Sequence, residues 1–211
     1  MIFEATVVGP LQCNCYILGC EETREGIVID PGDDSDLILS LIQKHQLKIK
    51  FILSTHAHID HVGDLEPLKV RTGAQAVLHE LDLPLYQNLP IQAAWLGVTA
   101  PRMAQIDNYV HDRDTLRFGS HSGEILYTPG HSPGSLCLHV PGSVDQLFAG
   151  DTMFQRSIGR TDLWGGSHEA ILKSIREKLL VLDDRTVVYP GHGPATTVGD
   201  ERRRNPFLIE L

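Results

Sequence analysis

Apolar positions in the first third of the chain fall in short blocks. "ATVVG", "CNCYILGC" and "EGIVIDPG" are rich in β-branched residues and separated by Gly, Pro and charged turns, the pattern of an antiparallel meander. The period then changes. In "DSDLILSLIQKH", Leu37, Leu41 and Ile42 stand at helical spacing behind a Ser35/Asp36 cap, and "KIKFILSTH" returns to strand. A second helix is predicted from Gly63 or Asp64 to Arg71, followed by a strand at "AQAVLH" and a short helix near Leu81 to Gln87.

The next stretch, "LPIQAAWLGVTAPRM", is apolar, poor in charge and punctuated by proline, so it reads as ordinary packing or as a flap over a pocket. From Thr115 strands return in "TLRFG", "GEILYTPG", "SLCLHVPG" and "QLFAGD". A helix is predicted from Ser167 to Leu182, with Ile171, Ile175, Leu179 and Leu182 along one side, and "TVVYPGHG" follows as a strand entering a Gly-rich loop. Strands followed by helix, twice over, predict an α/β domain spanning 1–211: two similar halves packed face to face with helices outside.

Composition narrows the function classes. A chain of 211 residues with 42% hydrophobic content can bury a sizeable core. Its net charge of -9, from 27 acidic and 18 basic residues, disfavours nucleic acid and anionic membrane as partners. The start "MIFEATVVGPLQ" lacks the basic and apolar regions of a signal peptide, and no stretch reaches the length of a membrane span, so a cytoplasmic protein is expected. Cys13, Cys15, Cys20 and Cys137 contain no C-x-x-C pair; Cys13 and Cys15 share one strand face and read as small core residues rather than a thiolate site.

Four loops after predicted strands carry ligand-type side chains: "STHAHIDHVGD", "YTPGHSPGS", "FAGDTMF" and "YPGHGPA". His56 and His58 alternate on an extended segment and can face one ion, while Asp60 and His61 lie where a turn can aim them at a second. His131 and His192 each follow Pro-Gly, where glycine lets the backbone bend, and Asp151 has two oxygens able to bridge two ions. Burying so many polar groups uncompensated costs about 2 kcal/mol or more each, which a metal would offset. His45, His79, His111, His121, His139 and His168 stand alone and read as surface or hydrogen-bonded core residues.

The run "THAHIDH", with "TPGHSPG", "AGDTMF" and "PGHG" in this order, resembles the metallo-β-lactamase superfamily and, within it, the glyoxalase II-like thioester hydrolases. The continuation "SIGRTDL" is similar to the short, single-domain bacterial members, and the likeness runs from "NCYIL" to "RNPFL". This resemblance implies an αββα sandwich of two mixed sheets. It assigns His56, His58 and His131 to one metal and Asp60, His61 and His192 to another, with Asp151 bridging. Two divalent ions are implied, zinc first, with iron or manganese also compatible with these donors. Two-domain glyoxalase II continues into a helical C-terminal segment that supplies part of its glutathione site; here the sequence after His192 has room for a short helix in "VGDERRRNPFL", which implies weaker glutathione recognition.

The expected activity is hydrolysis of S-lactoylglutathione or a related small-molecule thioester by water ionised between the two ions, with Asp60 ligating and orienting it. A thiol leaves with a pKa of about 8.5, so thioesters rank above lactams and simple esters. Arg160, with Asp162 beside it, reads as an anion-binding residue or as half of a structural ion pair, and Trp95 as a pocket wall or as core. The rival enzyme of the same fold is a persulfide dioxygenase using one non-haem iron; the rival of another class is a metal-binding scaffold or sensor without catalysis.

Overall fold

A computed structural model describes residues 1–209. The meander forms as β1 (Ile2–Val8), β2 (Cys13–Gly19) and β3 (Glu25–Ile29), each pairing antiparallel with the next. Helix α1 (Ser35–Lys44) then crosses to β4 (Lys48–Leu53), which lies parallel to β3. Helices α2 (Ile59–Val62) and α3 (Leu65–Thr72) precede β5 (Gln75–Leu78), and α4 (Leu83–Gln87) and α5 (Leu89–Leu96) precede the short β6 (Asn108–Tyr109). These strands make one six-stranded sheet in the order β1-β2-β3-β4-β5-β6.

The second sheet has β7 (Thr115–Phe118), β8 (His121–Tyr127), β9 (Leu136–Val140) and β10 (Gln146–Gly150) in antiparallel succession. A small hairpin, β11 (Met153–Phe154) with β12 (Ser157–Ile158), and helix α6 (His168–Ser174) follow. The chain returns as β13 (Val187–Pro190), parallel to β10, then β14 (Thr196–Thr197) and α7 (Val198–Arg204). The sheet order is β14-β13-β10-β9-β8-β7, so both sheets are mixed.

Three apolar clusters hold the layers. Between the sheets, Leu18, Ile27, Ile29 and Leu53 meet Phe118, Ile125, Leu138 and Phe148. Outside the first sheet, Ile38, Ile42, Leu65, Leu68 and Leu89 pack the helices down. Outside the second, Ile171, Ile175, Leu179 and Val198 do the same. The αββα sandwich follows from strands apolar on both faces, which need cover on both sides.

Two local expectations are corrected. Ser35 and Asp36 do not cap α1: the preceding Asp34 is left-handed and makes no side-chain cap, and Ser35 N–H instead donates to Asp64 Oδ2 at 2.7 Å. The predicted helix to Leu182 is α-helical only to Ser174 and continues as a π turn over Ile175–Leu179. Side chains four apart overshoot a 3.6-residue turn by about 40° per step; the wider turn keeps Ile171, Ile175 and Leu179 on one buried face.

Strand direction fixes where function can sit. β3, β4, β5, β8, β10 and β13 all end at the same edge of the sandwich, and β2 begins there. Two backbone bonds stitch the sheets together at that edge: Leu136 N–H to Thr55 O and Asn14 N–H to Gly191 O. Irregular loops carrying polar side chains are tolerated there because they close no ladder.

Candidate metal centre

The four motif loops meet at this edge. His58 Nδ1 lies 2.9 Å and His56 Nε2 3.2 Å from His131 Nε2. His61 Nε2 lies 3.4 Å from Asp151 Oδ1 and 3.7 Å from Asp60 Oδ2, and His192 Nε2 lies 3.1 Å from Asp60 Oδ2. Asp151 Oδ2 is 3.5 Å from His131 Nε2 and 3.8 Å from His192 Nε2, so its two oxygens reach both halves. Three groups have ligand atoms within 4.8 Å of one another: His56, His58 and His131; His56, His61 and Asp151; Asp60, His61 and His192.

Local backbone explains the aim of each side chain. Gly130 has φ +139°, a conformation other residues avoid, and it turns His131 in from β8. Gly191 serves closeness instead: a Cβ there would overlap Asp151 Oδ1 and His61. The β10–β13 register slips between Phe148 and Gly150, a bulge that re-aims Asp151 just beyond it.

The ring nitrogens are assigned by their outer partners. His131 Nδ1 donates to Arg160 O at 2.8 Å and His192 Nδ1 to Gln12 O at 3.1 Å, since a carbonyl can only accept. His61 Nδ1 donates to Asp30 Oδ2 at 3.0 Å. Thr55 Oγ1 gives its own proton to Asp30 Oδ2 at 2.8 Å and so accepts from His56 Nδ1 at 3.1 Å. In their neutral form, four imidazoles thus turn Nε2 lone pairs toward one centre.

That centre fits a cation. His61 Nε2 and Asp151 Oδ1 are buried without any hydrogen-bond partner, an expensive arrangement for a protein that needed them only for packing. His56 Nε2 and His131 Nε2, whose ring protons are committed to outer partners, likewise face one another at 3.2 Å with no proton between them. Nitrogen and carboxylate donors of this kind suit zinc, iron or manganese.

The field is uneven. Burial, then the neighbouring His61 and His131, push His56 well below the ordinary imidazole range. Burial and His131 push His58 down to about 3. Burial also disfavours charge on His61, yet Cys13, Asp151, Asp60 and Asp30 lift its pKa well above the usual value. Burial opposes ionisation of Asp60 too, but His61 and His192 hold its carboxyl low. The open side is formed by His192 and Asp60, whose side chains are 30% and 18% exposed.

Sequence reasoning missed the outer shell. Asp30, at the end of β3, holds Thr55 and His61 and through Thr55 orients His56. Asp82 accepts from Ala57 N, Ser132 Oγ and Gly134 N, tying the "HAH" segment to the "HSPG" loop. Gln92 on α5 bonds Ile59 N and Ala57 O, while Asn14 and Tyr16 on β2 hold Pro190 O. Asp30 follows an apolar run at a strand end, the same signal as the ligands; Asp82 and Gln92 carry no such mark.

The remaining candidates stand apart. Arg160 forms a bidentate pair with Asp162 at 2.7 and 2.8 Å on the surface, and its backbone carbonyl is what contacts the centre. Trp95 is 77% exposed, which overturns the core reading, and it lies outside the cavity wall formed by its neighbours Leu96 and Val98. The reason is helical phase: α5 buries Leu89 and Ala93, leaving Trp95 on the other face. Cys13 and Cys15 are buried free thiols; Cys13 Sγ lies 3.6 Å from the outer Nδ1 of His61, and burial pushes its pKa up to about 11.

The Metallo-beta-lactamase superfamily profile matches residues 8–192, a span that includes every candidate ligand from His56 to His192. The chain belongs to that superfamily. Among its superfamily relatives is hydroxyacylglutathione hydrolase GloC of Haemophilus influenzae, 36% identical over 99% of this chain and 98% of that one. Two solved superfamily structures each superpose with TM-score 0.88. TTHA1623 in a di-iron-bound form is 40% identical over 97% and 100% of the two chains. BLEG-1, a B3 metallo-beta-lactamase, is 37% identical over 98% and 99%. No helix among the described residues is long and apolar enough to cross a membrane.

Proposed function

We propose that the protein is a thioester hydrolase working at two divalent cations. His56, His58 and His131 would hold the first and Asp60, His61 and His192 the second, with Asp151 shared between them. The observation that carries the two-ion reading is the pair of buried, unpartnered atoms, His61 Nε2 and Asp151 Oδ1. A single iron held by two histidines and an aspartate, as in a persulfide dioxygenase, leaves His61 Nε2 without a partner. The likeness to TTHA1623, which holds two irons, supports the same count.

Bound there, two such ions would supply water ionised near neutral pH and a positive charge for the substrate carbonyl. The chain's own part is positioning. Asp60, low in pKa and partly open, accepts a hydrogen bond from the attacking water and fixes its direction. Asp30 and the carbonyls of Arg160 and Gln12 lock four imidazoles in one tautomer before substrate arrives. A thiol leaving group has a pKa of about 8.5 and departs without a strong acid, which supports thioesters over lactams. The likeness to GloC supports a glutathione thioester or a related one as the small-molecule substrate.

The test is thiol release from S-lactoylglutathione, other thioesters and a β-lactam by metal-loaded protein, beside oxygen uptake with glutathione persulfide. Thioester turnover well above lactam turnover, without oxygen consumption, is expected. Oxygen consumption without thioester turnover assigns the dioxygenase instead, and inactivity throughout leaves a metal-binding scaffold.

A further inference from the structure

A cavity of about 850 Å³ opens beside Asp60. Its apolar lining comes from Val8 at the end of β1 with Pro10 and Leu11 after it, and from Leu96 at the end of α5 with Val98 and Pro101 after it. Ile59, next to Asp60 in sequence, carries the apolar lining up to the proposed centre. The volume is that of a small-molecule site. Leu11, Leu96 and Val98, all lining residues, remain exposed.

Charge decides what kind of group fits. Asp33, Asp60, Asp64 and Glu66 line the cavity against Arg71 and Arg102. Asp60 belongs to the proposed centre and Arg71 is ion-paired with Asp36, so among the described lining residues Arg102 is left to offset three carboxylates, Asp33, Asp64 and Glu66. An anionic arm, such as the peptide part of glutathione, would be repelled at short range. An uncharged apolar arm meets no such penalty and gains by leaving water.

We propose that this cavity holds the acyl group, and that the substrates are thioesters of bulky, uncharged, apolar carboxylic acids. The proposal rests on the hydrolase reading of the adjacent centre. Water adds to the acyl carbon and the carbon–sulfur bond breaks, giving a carboxylate, a thiol and one proton. The same acidic lining that admits a neutral acyl group then disfavours its carboxylate product, which aids release.

The experiment uses metal-loaded protein and thioesters of N-acetylcysteamine, an uncharged thiol, with acyl groups from acetyl to octanoyl. In parallel, calorimetry measures binding of ketone analogues in which a methylene replaces the sulfur. Both kcat/KM and analogue affinity should rise about two- to fourfold per methylene, and a succinyl thioester should fall below the butyryl one. Val98→Trp, which fills the mouth, and Leu96→Asp, which adds charge there, should each flatten the series. A flat wild-type series in both readouts overturns the proposal, as does a full chain-length gain in both variants. No turnover of any thioester, with analogue binding still dependent on chain length, keeps the cavity assignment and removes the hydrolase reading.

Discussion

The ligand loops and the wall after α5 lie side by side and are built by opposite means. In the loops the ring nitrogens have outer partners, and two buried atoms without one, His61 Nε2 and Asp151 Oδ1, face the same centre. The wall is apolar side chains partly open to water, with Leu96 and Val98 both exposed. The first arrangement fixes atoms in place by directional bonds; the second offers area without direction, and area is tolerant of what it covers. Chemistry would then be fixed by one region and substrate range by the other.

Changes in the loops should break that contrast most severely. Asp151→Ala removes the oxygens that face both halves, and metal content should drop by more than about 100-fold in affinity, beyond the range of outer-shell changes. Elemental analysis beside the activity assay checks it; full metal content with full activity would end the bridging role. Asp30→Asn should weaken binding about 10- to 100-fold through His61 and His56 together. Competition with a chelator reads it, and an effect on only one of two metal equivalents would show that Thr55 does not carry the coupling.

Acidity separates the two forms of the centre. In metal-free protein the pKa of His61 and of His192 lies above the free value: burial opposes this, but Cys13 and the carboxylates around His61, and Asp60 beside His192, prevail. A raised folded pKa contributes stability that is fully present below the unfolded value of about 6.5 and is lost as pH rises through the folded pKa. Metal binding must displace those protons, so metal affinity should move the other way and strengthen with pH. Thermal melts of metal-free protein and chelator competition across the same pH series check both signs.

Much of this was legible in the sequence, and the limits have physical reasons. Ligands such as His56, His131 and Asp151 announce themselves because costly side chains sit directly after apolar strands. Asp30 shares that signal but has no neighbouring histidine in sequence, since its partner His61 is reached only when β3 and β4 pair. Gln92 was invisible because its bonds to Ala57 and Ile59 exist only once α5 packs on the motif loop. Trp95 was ambiguous because an apolar helix has no polar face to set its phase, and the fold resolved it outward.

The smallest effect is expected at that residue. Trp95→Ala should shift stability by no more than about 0.5 kcal/mol, as surface changes do, and leave metal content unchanged; a large loss in melting temperature would mean that Trp95 packs structurally.

The central claim, two cations acting together on a thioester, is tested most directly by adding zinc in measured equivalents to metal-free protein while following thiol release. Activity should climb to a plateau at two equivalents per chain. A plateau at one equivalent, or no turnover with both bound, would contradict it.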